Sequence, residues 1–122
     1  MLKKVAFTMF AVEDSARARA FYEEKLGLRR GSSSDNGVWT EYDLPGGGCF
    51  ALFKHPDPAQ YTRGSGGASI AFEVEDLDAL IPQLKAKEVT FKSAIIPSPV
   101  CRMSIIEDSE GNSIVLHELK AK

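Results

Sequence analysis

The chain predicts an α+β domain built from one supersecondary unit written twice, and three observations carry that expectation. Residues Phe10-Ala11-Val12-Glu13-Asp14 return, with one change, as Phe72-Glu73-Val74-Glu75-Asp76, an offset of 62 in a chain of 122. A motif repeated at about half the length marks a duplicated unit. Each copy follows one local grammar: an alternating apolar strand, an acidic residue able to cap a helix, then apolar residues at helical spacing. At 43% hydrophobic, the whole length suffices for a single buried core, whereas a half of about 60 residues is marginal alone. The chain therefore reads as one domain over 1–122, with module 1 at about 1–58, a linker at about 56–67 and module 2 at about 68–122.

In the first half, Lys4 to Val12 reads as a strand, and Asp14 caps a helix that runs to Leu26 with Ala18, Phe21, Tyr22 and Leu26 on one stripe. Gly27 stops that helix, and a short strand follows near Leu28 to Arg30. Gly31 to Gly37 reads as a loop by composition, and Val38 to Leu44 and Cys49 to Lys54 are strands around Pro45-Gly-Gly-Gly48. His55-Pro-Asp-Pro58 through Gly64-Ser-Gly-Gly67 is the Pro- and Gly-rich linker. The second half repeats the order, with a strand from Ala68 to Val74, an Asp76 cap and a helix from Leu77 to about Lys87. Strands near Val100 to Ile106 and Ser113 to Leu119 flank a turn at Asp108-Ser-Glu-Gly-Asn112. Pro82 removes a backbone donor inside the second helix, so that helix should kink or begin late.

Charge narrows the function classes. With 15 basic and 17 acidic residues and a net charge of -2, no basic stripe recommends nucleic acid. No stretch is apolar for long enough to span a bilayer, so no membrane role is expected. Cys49 and Cys101 lack close metal-type spacing and read as free thiols of a cytoplasmic protein. Lys3-Lys4 and the apolar run after them imitate a secretory leader. Ser69 to Val74 occupies the matching place deep in the chain, and Glu13-Asp14 follows the run instead of a small-residue cleavage site, so a strand is expected there.

Three segments together resemble the vicinal oxygen chelate superfamily of glyoxalases, bleomycin-resistance proteins and extradiol dioxygenases. They are Val12 to Tyr22 with Leu26-Gly-Leu28, Val74-Glu-Asp76 with Leu84-Lys-Ala-Lys87, and Asp108 to Leu116. The resemblance implies two pseudo-symmetric βαβββ modules whose mixed sheet curls around a cavity, with helices outside. It also implies, in metal-dependent members, a divalent ion held by His, Gln or Glu from the first and last strands of each module. Carried across, those places fall on Phe7, Ser69, a position near Leu52, and Val115. Phenylalanine, leucine and valine cannot donate to a metal, and a lone serine hydroxyl is a poor substitute. No metal and no cofactor is therefore expected.

Alternation adds Met9, Phe50 and Ala71 to the cavity side, which makes an apolar, aromatic-lined site suited to a hydrophobic or aromatic small molecule. Trp39 and Tyr42 lie on opposite faces of one strand, so that only one points inward, and either is a candidate stacking wall or ordinary core; Arg102 is a candidate for holding a carboxylate or phosphate of a ligand. Glu73, His117 and Glu107 are the candidates for a displaced metal site or an acid/base pair. Three functions follow as expectations. The leading one is metal-free binding of a small molecule. The second is a glyoxalase-like lyase or isomerase, or a dioxygenase, with displaced ligands. The third is a non-catalytic dimeric interaction module. The resemblance also implies a homodimer.

Overall fold

The apolar runs that open the two copies of the motif form strands of four and five residues and begin the two sheets of the computed structural model, which describes residues 1–64, 66 and 68–120. The first half comprises β1 (Thr8–Ala11), α1 (Ser15–Ala20), β2 (Arg30–Ser33), β3 (Trp39–Asp43) and β4 (Cys49–Phe53). The second comprises β5 (Ser69–Glu73), α2 (Leu77–Ala86), the two-residue strands β6 (Thr90–Phe91) and β7 (Ile96–Pro97), then β8 (Cys101–Glu107) and β9 (Ser113–Leu119). The α+β class is as expected: two sheets with few helices and no closed barrel.

Strand order repeats between the halves. The first sheet runs β1-β4-β3-β2 and the second β5-β9-β8-β6, with β7 also on β8. In each, the first strand lies parallel to the last and the remaining pairs are antiparallel. Among the described residues no ladder joins the two sheets.

Both helices start where the acidic caps place them. Asp14 accepts the Arg17 amide at 2.9 Å and Asp76 the Ala79 amide at 3.1 Å. After Ala20 the first helix widens into a π-type turn over Phe21–Lys25, closed by the Leu26 amide on the Phe21 carbonyl. Gly27, at φ +74, ends it. Pro82 does not delay the second helix, which begins at Leu77 and contains the proline in its interior. The stretch expected as a loop from Gly31 is partly strand, because Arg30 and Ser33 register against Tyr42 and Thr40 at the edge of the first sheet. Of the expected linker, Pro58–Gln60 forms a 3-10 turn, and Ser65 and Gly67 lie outside the described residues.

The helix-facing sides of both sheets merge into one core. Phe10, Val12, Tyr22, Tyr42, Phe50 and Leu52 of the first half pack with Leu77, Leu84, Ile106, Ile114 and Leu116 of the second. The Phe50 and Phe72 rings meet edge to face at 5.6 Å across the boundary.

A polar lock spans the same boundary. The fully buried Glu110, in the β8–β9 turn, accepts the Glu13 and Asp14 amides at 3.0 and 3.1 Å, and so binds the start of α1. Arg17 completes a two-pronged ion pair to it at 2.6 and 2.9 Å. Behind it, Asp108 accepts the Tyr22 hydroxyl at 2.6 Å and the Glu110 and Asn112 amides at 2.8 Å. Gly111, at φ +80, lets the turn close; a Cβ there would meet the Arg63 guanidinium at 3.1 Å.

Burial alone would raise the Glu110 carboxyl, but the Arg17 guanidinium and the backbone amides outweigh it and hold the group down at about 2. Since this lies below the ordinary unfolded value of about 4.3, the stabilisation is complete above that value. It is lost as pH falls toward about 2. Glu110→Gln should therefore lower the unfolding free energy at pH 7 by about 2–4 kcal/mol in urea titrations. It should also flatten the acid limb of stability between about pH 4.5 and 2; acid limbs of equal steepness in the two proteins would refute the lock.

Candidate functional site

Residues in register across a ladder share a face of the sheet, so the pairings sort each strand into a helix side and an open side. In the first sheet Met9 pairs with Ala51, Ala51 with Glu41, and Phe53 with both Ala11 and Trp39. That open face carries an aromatic row. Phe7 stands edge-on to Trp39 at 5.1 Å, Trp39 lies 6.4 Å from Phe53, and Phe53 lies 5.6 Å from His55. Phe7 and Met9 remain 46% and 42% exposed, which is unusual for side chains of this size inside a sheet.

Glu41 sits among these rings and fixes two of its neighbours. It accepts the Trp39 indole N–H at 2.7 Å and the Cys49 thiol at 3.8 Å. Burial, with Glu41 and Asp43 nearby, pushes the Cys49 thiol up, which disfavours the thiolate. Neither Cys49 nor Cys101 forms a disulfide.

In the second sheet the open face is more polar. Ser69, Ala71 and Glu73 pair with Ser113, Val115 and His117, and the last two pair onward with Ile105 and Met103. A cavity of about 490 Å³ opens here, lined by Gly66, Ala68, Ser69, Lys92, Ile105, Gly111, Ser113 and Val115. Lys92 reaches Ser113 Oγ with its ammonium at 3.0 Å. At one end of the face His117 Nδ1 lies 2.6 Å from Glu73, whose second oxygen accepts the Leu119 amide at 2.9 Å.

Of the residues expected to line a site, Phe7, Met9 and Trp39 share the open face of the first sheet, and Ser69, Ala71 and Val115 that of the second. The other three need correction. Phe50 and Leu52 point the other way: they register with Thr8 and Phe10 and are 2% exposed in the core. Every residue of Cys49–Phe53 is apolar, so alternation along that strand could not reveal which side faces the helices. By register, the first-half counterpart of Val115 is Ala51, not Leu52, since Ala51 pairs with Met9 as Val115 pairs with Ala71. Arg102 also lies on the helix side, held to Asp78 at 2.8 and 3.1 Å and facing Glu118 at 3.5 Å, so it is committed to the start of α2.

The three acid/base candidates are only partly brought together. Glu73 and His117 touch, whereas Glu107 pairs with Ser113, four residues away along β9 and roughly 13 Å off at strand rise. Lys92 was not anticipated, because its place beside Ser69 and Val115 is set by a long-range pairing of Phe91 with Ile106 that has no local signal.

Residues 4–116 match the family model for the glyoxalase/bleomycin resistance protein/dioxygenase superfamily. The chain belongs to this superfamily. A search of curated proteins finds no significant match. Among solved structures, the crystal structure of UcmS2 is 22% identical over 96% of this chain and 98% of that one, with a TM-score of 0.79. A glyoxalase/dioxygenase from Nostoc punctiforme is 20% identical over 98% and 92%, with a TM-score of 0.78. Lactoylglutathione lyase from Agrobacterium tumefaciens is 19% identical over 96% and 94%, with a TM-score of 0.75. At these identities the likeness is one of fold.

Phe7, Ala51 and Val115 offer no lone pair, and Ser69 offers one hydroxyl. The described residues contain no group of three or more His, Cys, Asp or Glu side chains placed to hold an ion. The donor set does not fit the family's metal centre. No described helix is long and apolar enough to cross a membrane.

Two substitutions separate the faces. Glu73→Ala removes the acceptor of the Leu119 amide and should speed its hydrogen exchange about tenfold. Arg102→Ala, on the helix side, should leave that rate unchanged and alter the affinity of any open-face ligand by less than about twofold.

Proposed function

We propose that this superfamily member binds a hydrophobic or aromatic small molecule without a metal ion, on its open sheet faces. The observation that carries this is the exposed row Phe7, Trp39 and Phe53, with Met9 beside it. Flat apolar ligands stack on such edges and gain from burial. The donor-poor matched positions support the metal-free part.

The two open faces belong to different sheets whose helix sides are joined in one core, so a ligand enclosed by both needs a second protomer. A homodimer setting the first sheet of one chain over the second sheet of its partner would supply that enclosure. Exposed Phe7, Met9, Ile96 and Leu119 are the apolar groups that such pairing would cover. The two free thiols are in keeping with the cytosol as its compartment.

Trp39 is the sole tryptophan, so its fluorescence reports on the aromatic face directly. Chelator-treated protein screened against aromatic acids, amides and hydrophobic drugs should give compounds that raise the melting temperature and quench Trp39. Phe7→Ala should weaken the best of them about tenfold. A library without a single stabilising compound, or binding that returns only on adding a divalent ion, would overturn the proposal.

The 2.6 Å Glu73–His117 contact favours a second reading, a lyase or isomerase in which Glu73 orients His117 for proton transfer. Turnover of a bound compound that disappears in His117→Ala would select it. Stable dimers that bind nothing in the library would instead select a non-catalytic interaction module.

A further inference from the structure

We infer that the ligand of this site carries a carboxylate, and that Lys92 in the second-sheet cavity receives it. The inference rests on the small-molecule reading and names the charge of the molecule bound.

Among the described lining residues of the 490 Å³ cavity, Lys92 is the one charged side chain, and no Asp or Glu lines the wall. This is notable in a chain with an excess of acidic over basic residues, 17 against 15. Glu107, opposite Ser113 in the ladder, is not part of the lining. The ammonium is held at the wall by its 3.0 Å contact with Ser113 Oγ, and the Lys92 amide is bonded to the Ile105 carbonyl at 2.7 Å. Its base is therefore part of the sheet edge and not of a free loop. Ser69, directly opposite Ser113 in the β5–β9 ladder, adds a second hydroxyl able to donate. The Arg63 guanidinium lies close to Gly111, one of the lining residues.

The apolar part of the wall is Ile105, Val115 and Ala68, and Gly66 and Gly111 complete the lining. A cavity with one positive charge, two hydroxyls and an apolar floor is complementary to a small acid with a hydrocarbon or aryl body. The Lys92 ammonium repels a protonated amine, which finds no carboxylate in the lining to pair with. An ammonium is a compact point charge, so it suits a carboxylate oxygen without demanding one approach angle.

The test uses the full-length protein and acid–amide pairs of matched shape: benzoate with benzamide, and indole-3-acetate with indole-3-acetamide. Two-dimensional amide NMR titrations give the affinities and locate the binding. The expected result is acid binding about three- to fivefold tighter than the amide, with shifts at Lys92 and Ser113. Lys92→Gln should abolish that preference while leaving amide affinity within about twofold, and Lys92→Arg should keep it. Because Lys92 is exposed, an unchanged amide spectrum elsewhere verifies that each variant is folded. Equal binding of acid and amide, or a preference that survives Lys92→Gln, overturns the inference while sparing the small-molecule reading. Failure of every acid and amide in the pairs and in the wider library overturns both.

Discussion

The arrangement of this molecule depends on one buried carboxylate that reaches from the second half into the first. Glu110 sits in a turn of the second sheet and binds the opening turn of α1 through two amides and Arg17. A carboxylate at a helix start meets unsatisfied N–H groups and the positive end of the helix dipole. Together with the shared core, the bond ties the β8–β9 turn to the start of α1. It sets the helix sides of the two sheets against one another and leaves the other sides uncovered. What is open for ligands is thus decided by what the lock closes.

The lock is one-sided although the scaffold is duplicated. The corresponding turn of the first half, Leu44 to Gly48, has three glycines and no carboxylate to offer α2. The first amide of α2 is instead satisfied by Glu118, near the end of β9 in its own sheet, at 2.7 Å. Matched by register, Phe7 faces Ser69, Met9 faces Ala71, Ala11 faces Glu73 and Phe53 faces His117 as counterparts. One face became aromatic and the other polar, on the same backbone plan.

How much of this was legible in the chain follows from the range of each signal. The repeat, the Asp14 and Asp76 caps and the strand Ser113–Leu119 are local patterns and were read directly. The side of β4 that faces the core was not, since Cys49-Phe-Ala-Leu-Phe53 is apolar on both sides and only pairing with β1 decides it. Arg102 looked like a ligand-holding group until its partner Asp78, 24 residues away, was in place. The strands β6 and β7, two residues each, carry no periodicity that a sequence could display. Lys92 escaped notice for the same reason, because those short strands are what deliver it to the cavity.

The division between an aromatic face and a cationic cavity has an energetic logic. An aromatic group buries roughly 150–250 Å², which at about 25 cal/mol per Å² is worth about 4–6 kcal/mol before the cost of association. A single exposed ammonium contributes about 1 kcal/mol or less toward a carboxylate in contact with solvent. For a ligand bound as proposed, affinity would come from Phe7, Trp39 and Phe53, and Lys92 would choose among the ligands that those rings hold. That choice sharpens only if solvent is excluded from the ammonium, since the same charge pair strengthens several-fold as the effective dielectric falls. The open faces of one chain cannot exclude it, because Phe7 and Met9 are nearly half exposed. A partner surface closing over them would therefore raise selectivity and affinity together.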